Sequence, residues 1–178
     1  MNIEQAIRLI DCPGISATKP SAWADFGAGT GTFTNALAGL LMPGSRILAI
    51  DKNPSSLRRI NVSPTVILER KVEDFTRISL PPHSMDGILM ANALHFVKDK
   101  TVFLQKISAF LAKDGSLIVV EYDLKKSNPW VPYPVGFHEL DKIFKSSLHM
   151  NIEKIAETPS VYNRAVIYGA YAKKTADG

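Results

Sequence analysis

Trp23-Ala24-Asp25-Phe26-Gly27-Ala28-Gly29-Thr30-Gly31-Thr32-Phe33 is the stretch that decides the fold. It reads as the end of a buried strand, a bend of small residues at Gly27, Ala28, Gly29 and Gly31, and the start of a helix. Glycine tolerates positive φ and lets a ligand come close to the backbone. Thr30 or Thr32 is placed to cap the helix. Its apolar face, Phe33, Ala36, Leu37, Leu40 and Leu41, follows helical spacing, and Met42-Pro43-Gly44 stops it. A second strand, Arg46 to Ile50, leads into Asp51, twenty residues beyond Gly31. An acid at the tip of such a strand can accept hydrogen bonds from both hydroxyls of a ribose. Strand, glycine bend, helix, strand and acid together describe a pocket for a nucleoside cofactor.

The dinucleotide fingerprint G-x-G-x-x-G is not met. Counting from Gly27 or from Gly29, the third glycine position is Thr32 or Thr34. That absence speaks against the rival reading, a Rossmann oxidoreductase using a nicotinamide cofactor. The spacing is instead Asp25-x-Gly27-x-Gly29-x-Gly31. It resembles the first motif of the class I S-adenosylmethionine-dependent methyltransferases, of the type-11-like, small-molecule kind. The resemblance is strong over residues 21–52, good over 70–122 and weak elsewhere.

The fold expected is α/β and Rossmann-like. Helices alternate with strands, and then two strands, Asn151 to Thr158 and Arg164 to Ala172, follow without a helix between them. The resemblance implies a doubly wound, mostly parallel seven-stranded sheet with an antiparallel last strand and helices on both faces. It also implies a cofactor, S-adenosylmethionine, with S-adenosylhomocysteine as product. Asp25, Gly27, Ala28, Gly29, Gly31, Asp51 and Lys52 are its expected neighbours. Asn53 and Pro54 suit the cap and first position of a short helix to about Ile60, and Val62 to Leu68 reads as the third strand. Beyond that strand, the resemblance gives Asp74 to the adenine amino group and the Phe75 backbone N–H to a ring nitrogen, with Glu73 as the alternative acid.

Ser84-Met85-Asp86 before the apolar run Gly87 to Ala91 resembles the family's lead into its fourth strand, with Asp86 fixing the strand's start. Asn92 then lies at the cofactor's methionine end, in reach through its backbone. His95 resembles a histidine the family often carries after this strand, either catalytic or packed beneath the turn. Asp99 caps a helix running to about Ala112, Lys113-Asp114-Gly115 turns, and Ser116 to Tyr122 is the fifth strand. Trp130 and Tyr133, in a loop stiffened by prolines, either wall an acceptor pocket or pack on the sheet edge. Phe137 to Leu148 reads as an amphipathic helix.

No catalytic residue is fixed by the sequence. His95, Glu121 and Tyr122 are the weak candidates, with Asp123 and His138 also near the carboxyl ends of strands. Glu121 and Asp123 equally suit a strand-end cap or the methionine ammonium. The four histidines lack ligand spacing, so no metal is expected. An Asn or Asp followed by Pro-Pro and an aromatic marks amino-methylating enzymes of nucleic acids. Asn92-Ala93-Leu94-His95 stands there instead, which leaves a small-molecule acceptor.

The chain of 178 residues is expected to form one domain, with residues 1–20 a short cover segment or a packing helix. Its hydrophobic content of 46% and mean hydropathy of +0.02 describe a soluble protein, and no apolar run approaches a membrane span. The net charge of +4 is scattered in pairs such as Arg58-Arg59, so a nucleic-acid partner gains little support. A single cysteine, Cys12, and no visible secretory signal fit a cytoplasmic protein, monomer or homodimer. A non-catalytic, cofactor-binding subunit is the remaining alternative.

Overall fold

The computed structural model describes residues 1–15, 17–160 and 165–174. Helix α1 (Ile3–Ile10) starts on a capping box: Asn2 accepts from the Gln5 N–H, and the Gln5 side chain accepts from the Asn2 N–H. Strand β1 (Ala22–Phe26) enters the glycine bend, and helix α2 (Thr32–Leu40) leaves it. Strand β2 (Arg46–Asp51) and the short helix α3 (Pro54–Leu57) follow, the latter capped by Asn53 as its sequence requires. Next come strands β3 (Ile67–Val72) and β4 (Met85–Ala91), a 3₁₀ turn over Leu94–Phe96, helix α4 (Lys100–Ser108) and strand β5 (Leu111–Tyr122). Helix α5 (Phe137–Ile143) runs on into a π-turn over Phe144–Leu148, and strands β6 (Ile152–Pro159) and β7 (Val166–Lys173) complete the fold.

The strands form one seven-stranded sheet in the order β3-β2-β1-β4-β5-β7-β6. Neighbours from β3 to β5 are parallel, and β7 runs antiparallel to both β5 and β6. This is the expected Rossmann-like sheet. The strand order reverses between β1 and β4, and open α/β sheets bind ligands in the crevice at the carboxyl ends of such a pair. Asp86 accepts the Ala22 N–H at 2.8 Å, so it ties the start of β4 to the start of β1.

Each face of the sheet carries its own core. On one face, α1 and α2 bury Leu9, Ile10 and Leu37 against Trp23, Leu89 and Ile118. On the other, α4 and α5 bury Phe103, Leu104 and Leu140 against Phe26, Ile88 and Met90. Helix α1 lies so close to β7 that a Cβ added at Gly169 would collide with the Leu9 carbonyl. Cys12 is packed near this contact, where burial pushes its thiol up to about 11.

Several boundaries differ from those expected. Gly31, in the left-handed region at φ 89°, precedes α2, and neither Thr30 nor Thr32 caps it with a side chain. Ala6, Leu9 and Ile10 face the core from α1, and Ile3 is exposed. Helix α3 stops at Leu57. The third strand begins at Ile67, because Ser63-Pro64-Thr65 closes a turn in which the Val66 N–H reaches the Ser63 carbonyl. Helix α4 ends at Ser108, where the Ala109 and Phe110 carbonyls accept from the His83 and Met85 N–H groups instead. Leu111 therefore already pairs with Met85. The Lys113-Asp114-Gly115 segment becomes an irregularity within β5 before Ser116 pairs with Gly87. The last strand is described from Val166; its expected start, Arg164, lies outside the described residues.

Candidate functional site

The bend after β1 is held by the end of β2. The Gly27 and Ala28 N–H groups donate to the Ile50 carbonyl at 2.8 and 3.0 Å. The Asp51 carboxylate then takes one backbone N–H on each oxygen, from Gly29 at 2.9 Å and from Asn53 at 2.8 Å. Gly27, Gly29 and Gly31 all have positive φ. Their surroundings differ. A Cβ at Gly31 would press on Ile60 at 2.8 Å, and one at Gly27 would press on Ala93 at the same distance. At Gly29 it would meet only the Gly27 carbonyl, at 3.9 Å. Gly31 thus serves packing, while the backbone at Gly29 is open to an approaching group.

An open cavity of about 370 Å³ lies at the crevice. Six residues expected at the cofactor line it: Gly27, Asp51, Lys52, Asp74, Phe75 and Asn92. Glu73, weighed against Asp74, lines it too, but its carboxylate pairs with Lys71 at 2.9 Å. One Asp74 oxygen accepts from the Thr76 N–H and hydroxyl, which holds that carboxyl below the usual carboxylate range. Phe75 anchors the wall by stacking on Phe26 at 6.4 Å and meeting Phe103 edge-on at 5.9 Å. Thr76, Ala93 and Phe96 complete the lining and were not anticipated. Phe96 is 54% exposed, and nothing in the sequence distinguishes it from the buried apolar Leu94 and Val97 beside it.

Asp25, Ala28, Gly29 and Gly31 are not on the cavity wall. Asp25 is 1% exposed beneath the bend, where the Thr34 hydroxyl donates to it at 2.6 Å. Burial is the main cause that pushes its carboxyl up to about 7. Its place in the motif therefore couples β1 to α2. Ala28 packs with Ala49, Leu57 and Ile60.

His95 and Glu121 occupy each other. His95 is 3% exposed and Glu121 is fully buried, with His95 Nδ1 2.8 Å from Glu121 Oε2. Glu121 also accepts the His95 backbone N–H at 3.1 Å. The pair clamps the turn after β4 to the end of β5, and neither side chain lines the cavity. Trp130 is 79% exposed and is not part of this cavity's lining. Tyr133 donates its N–H to the His95 carbonyl at 3.0 Å, and its ring lies 5.8 Å from Lys100 Nζ. Asp123 and His138 also lie away from the cavity.

Asn92 stands apart. It is not glycine, yet φ is 52°, a conformation that costs about 1 kcal/mol or more. Its N–H is held by the Val120 carbonyl at 2.8 Å, and its Oδ1 is buried with no hydrogen-bond partner. Unpartnered buried polar atoms are rare in folded proteins and point to function.

A family model described as a methyltransferase domain matches residues 24–119, more than half of the chain. The chain belongs to this methyltransferase family. Its members use S-adenosylmethionine as methyl donor, which removes the nicotinamide reading. No curated protein matches the chain in sequence. Among solved structures it is similar to a 1,6-didemethyltoxoflavin-N1-methyltransferase of Burkholderia thailandensis, with 18% identity and a TM-score of 0.72 over 97% of this chain and 78% of that one. That protein was crystallised with 1,6-didemethyltoxoflavin and S-adenosylhomocysteine. The YcgJ protein of Bacillus subtilis matches with 12% identity and a TM-score of 0.70 over 97% of both chains. An arsenic(III) S-adenosylmethionine methyltransferase of Chlamydomonas reinhardtii matches with 14% identity and a TM-score of 0.66, over 97% and 73%. At these identities the likeness is one of fold. Among the described residues, no helix is long and apolar enough to cross a membrane.

Proposed function

We propose that this methyltransferase moves a methyl group from S-adenosylmethionine to a small-molecule acceptor, by holding the two in line rather than by acid–base catalysis. One observation carries the reading. The Asp51 carboxylate is fixed by two backbone N–H groups at the rim of a cavity whose next wall is Asp74 and Phe75.

The residues fit the donor. Each Asp51 oxygen uses one lone pair on the backbone, leaving further acceptor capacity for ribose hydroxyls. Asp74 has one oxygen outside its Thr76 bonds, suited to an amino group. Gly29, at the rim of the bend beside Asp51, has open space where a side chain would stand, so its backbone can be approached. When bound, the donor supplies a methyl on a positively charged sulfur; the acceptor's lone pair forms the new bond to carbon as the carbon–sulfur bond breaks, and S-adenosylhomocysteine leaves as a neutral thioether.

The chain's own part is orientation, which can supply several kcal/mol of the barrier. His95 and Glu121 are committed to each other below the cavity, so neither is offered as a base. An acceptor proton passes to water after transfer. The test is release of S-adenosylhomocysteine from S-adenosylmethionine across a panel of small amines, phenols and thiols, with DNA and RNA alongside. Turnover with one small-molecule class is the expected result. Turnover only with nucleic acid contradicts it, and binding without turnover on any acceptor favours a non-catalytic subunit.

A further inference from the structure

The sheet has two edges, and the chain treats them differently. Strand β6, at one edge, is irregular in its pairing with β7 between Lys154 and Ala156 and ends on Pro159. Both features keep an edge strand from pairing with a further strand. Strand β3, at the other edge, has neither, and pairs with β2 in unbroken parallel register from Ile67 to Val72. The Ile67 N–H donates to the Ser45 carbonyl, and the Glu73 N–H to the Asp51 carbonyl. Strand alternation turns Glu69 and Lys71 the same way. The N–H and C=O groups of Leu68, Arg70 and Val72 therefore point outward along the edge.

We propose that this edge is the seam of a homodimer, in which β3 of a second copy pairs antiparallel with β3 about a two-fold axis at Arg70. A two-fold seam uses one surface twice, so the strand must match itself reversed. The outward groups make Leu68, Arg70 and Val72 the hydrogen-bonded positions. With the axis at Arg70, Leu68 faces Val72 of the second copy, and Val72, 58% exposed in the single chain, is covered. Glu69 then faces Lys71 of the second copy at the other positions, where facing side chains stand closest. An axis at Glu69 sets that acid against itself. An axis at Lys71 sets the lysine against itself and Glu69 against Glu73. Like charges directly opposite destabilise a pair of strands. Axes nearer either end run into the turns at Ser63-Pro64-Thr65 and at Asp74 to Arg77.

The residue on the axis is withdrawn from the seam. The Arg70 guanidinium donates to the Leu57 and Ile60 carbonyls at 3.1 and 2.7 Å, so each copy holds that charge back on its own chain. Lys71 already pairs with Glu73 at 2.9 Å and takes a second carboxylate from Glu69 of the other copy. The two seven-stranded sheets become one, with the two donor cavities opening at opposite rims. Neither Glu69 nor Lys71 lines the cavity, so the seam stands apart from the donor reading.

The experiment is sedimentation equilibrium of the full chain, with circular dichroism to verify the fold of each variant. At high micromolar concentration and low salt the mass is expected to be twice the 19.5 kDa of one chain. Glu69→Lys and Lys71→Glu, made singly, place like charges face to face and are each expected to weaken the dimer about tenfold or more. The double variant exchanges the two charges and is expected to return the affinity to within about threefold of the wild type. Hydrogen exchange read by NMR is expected to slow at the Leu68, Arg70 and Val72 amides as the protein is concentrated. A single-chain mass at high micromolar concentration overturns the proposal. So does a dimer that both single variants leave intact, a double variant that stays dissociated, or a dimer in which those three amides exchange freely.

Discussion

Asp25 is a carboxyl group that the fold keeps from water. It is buried under the glycine bend, with the Thr34 hydroxyl as its donor and Asp51 as a like-charged neighbour. Its pKa is raised from 3.8 to about 7, so the folded state holds the proton more tightly than the unfolded chain does. The stability it contributes is complete below the unfolded value and is lost as pH rises through the folded one. Between those values it tilts stability downward by up to about 1.4 kcal/mol per pH unit. Asp25→Asn keeps an oxygen for Thr34 and removes the buried charge. Urea unfolding at pH 5 and pH 8 is expected to show a smaller loss of stability for Asp25→Asn than for the wild type. An unchanged difference would place Asp25 in solvent. At this scale the motif was legible as residues but not as roles. Three glycines and an acid stand out in sequence, yet only coordinates separate Gly29, open to a ligand, from Gly31, pressed on Ile60, and Asp51 at the cavity from Asp25 beneath it.

At the scale of elements, the clamp between the turn after β4 and the end of β5 positions the site without touching it. Glu121 accepts from the His95 backbone and ring, and Tyr133 closes the assembly from the following loop. Removing Glu121 leaves the buried His95 ring and backbone N–H without their acceptor, at about 1–3 kcal/mol for each unsatisfied group. Glu121→Ala is therefore expected to lower the urea midpoint sharply, with Glu121→Gln intermediate. A stable Glu121→Ala that has lost only turnover would make Glu121 a chemical participant instead. The pairing could not be read from a sequence, because His95 and Glu121 lie far apart along the chain and sit in different elements. Element boundaries failed for related reasons. The edge strand β3 carries Glu69, Arg70 and Lys71 and leaves Ile67 and Val72 exposed, so its polarity resembled a loop while the β-branched residues before it resembled a strand. Helix α4 was cut short by β4, whose entry captures the carbonyls that would have extended it.

For the whole molecule, the order of elements carried most of the information. Except for the polar edge strand β3, each parallel strand up to β5 is apolar enough to be recognised, and the last two strands lack a helix between them, which leaves the antiparallel β7 as the solution. The sheet then brings together residues as distant in sequence as Gly27, Asp51, Asp74 and Asn92, all at carboxyl ends of parallel strands or just beyond them. The central claim is that this gathering holds the donor's adenosine through Asp51. Calorimetric titration of S-adenosylhomocysteine into the wild type and into Asp51→Ala, both verified as folded, tests it most directly. Saturable binding to the wild type is expected, with a loss of about tenfold or more in affinity for Asp51→Ala, because a charged hydrogen-bond acceptor is removed. No heat from the wild type at high micromolar ligand, or equal affinities for the two proteins, would contradict it.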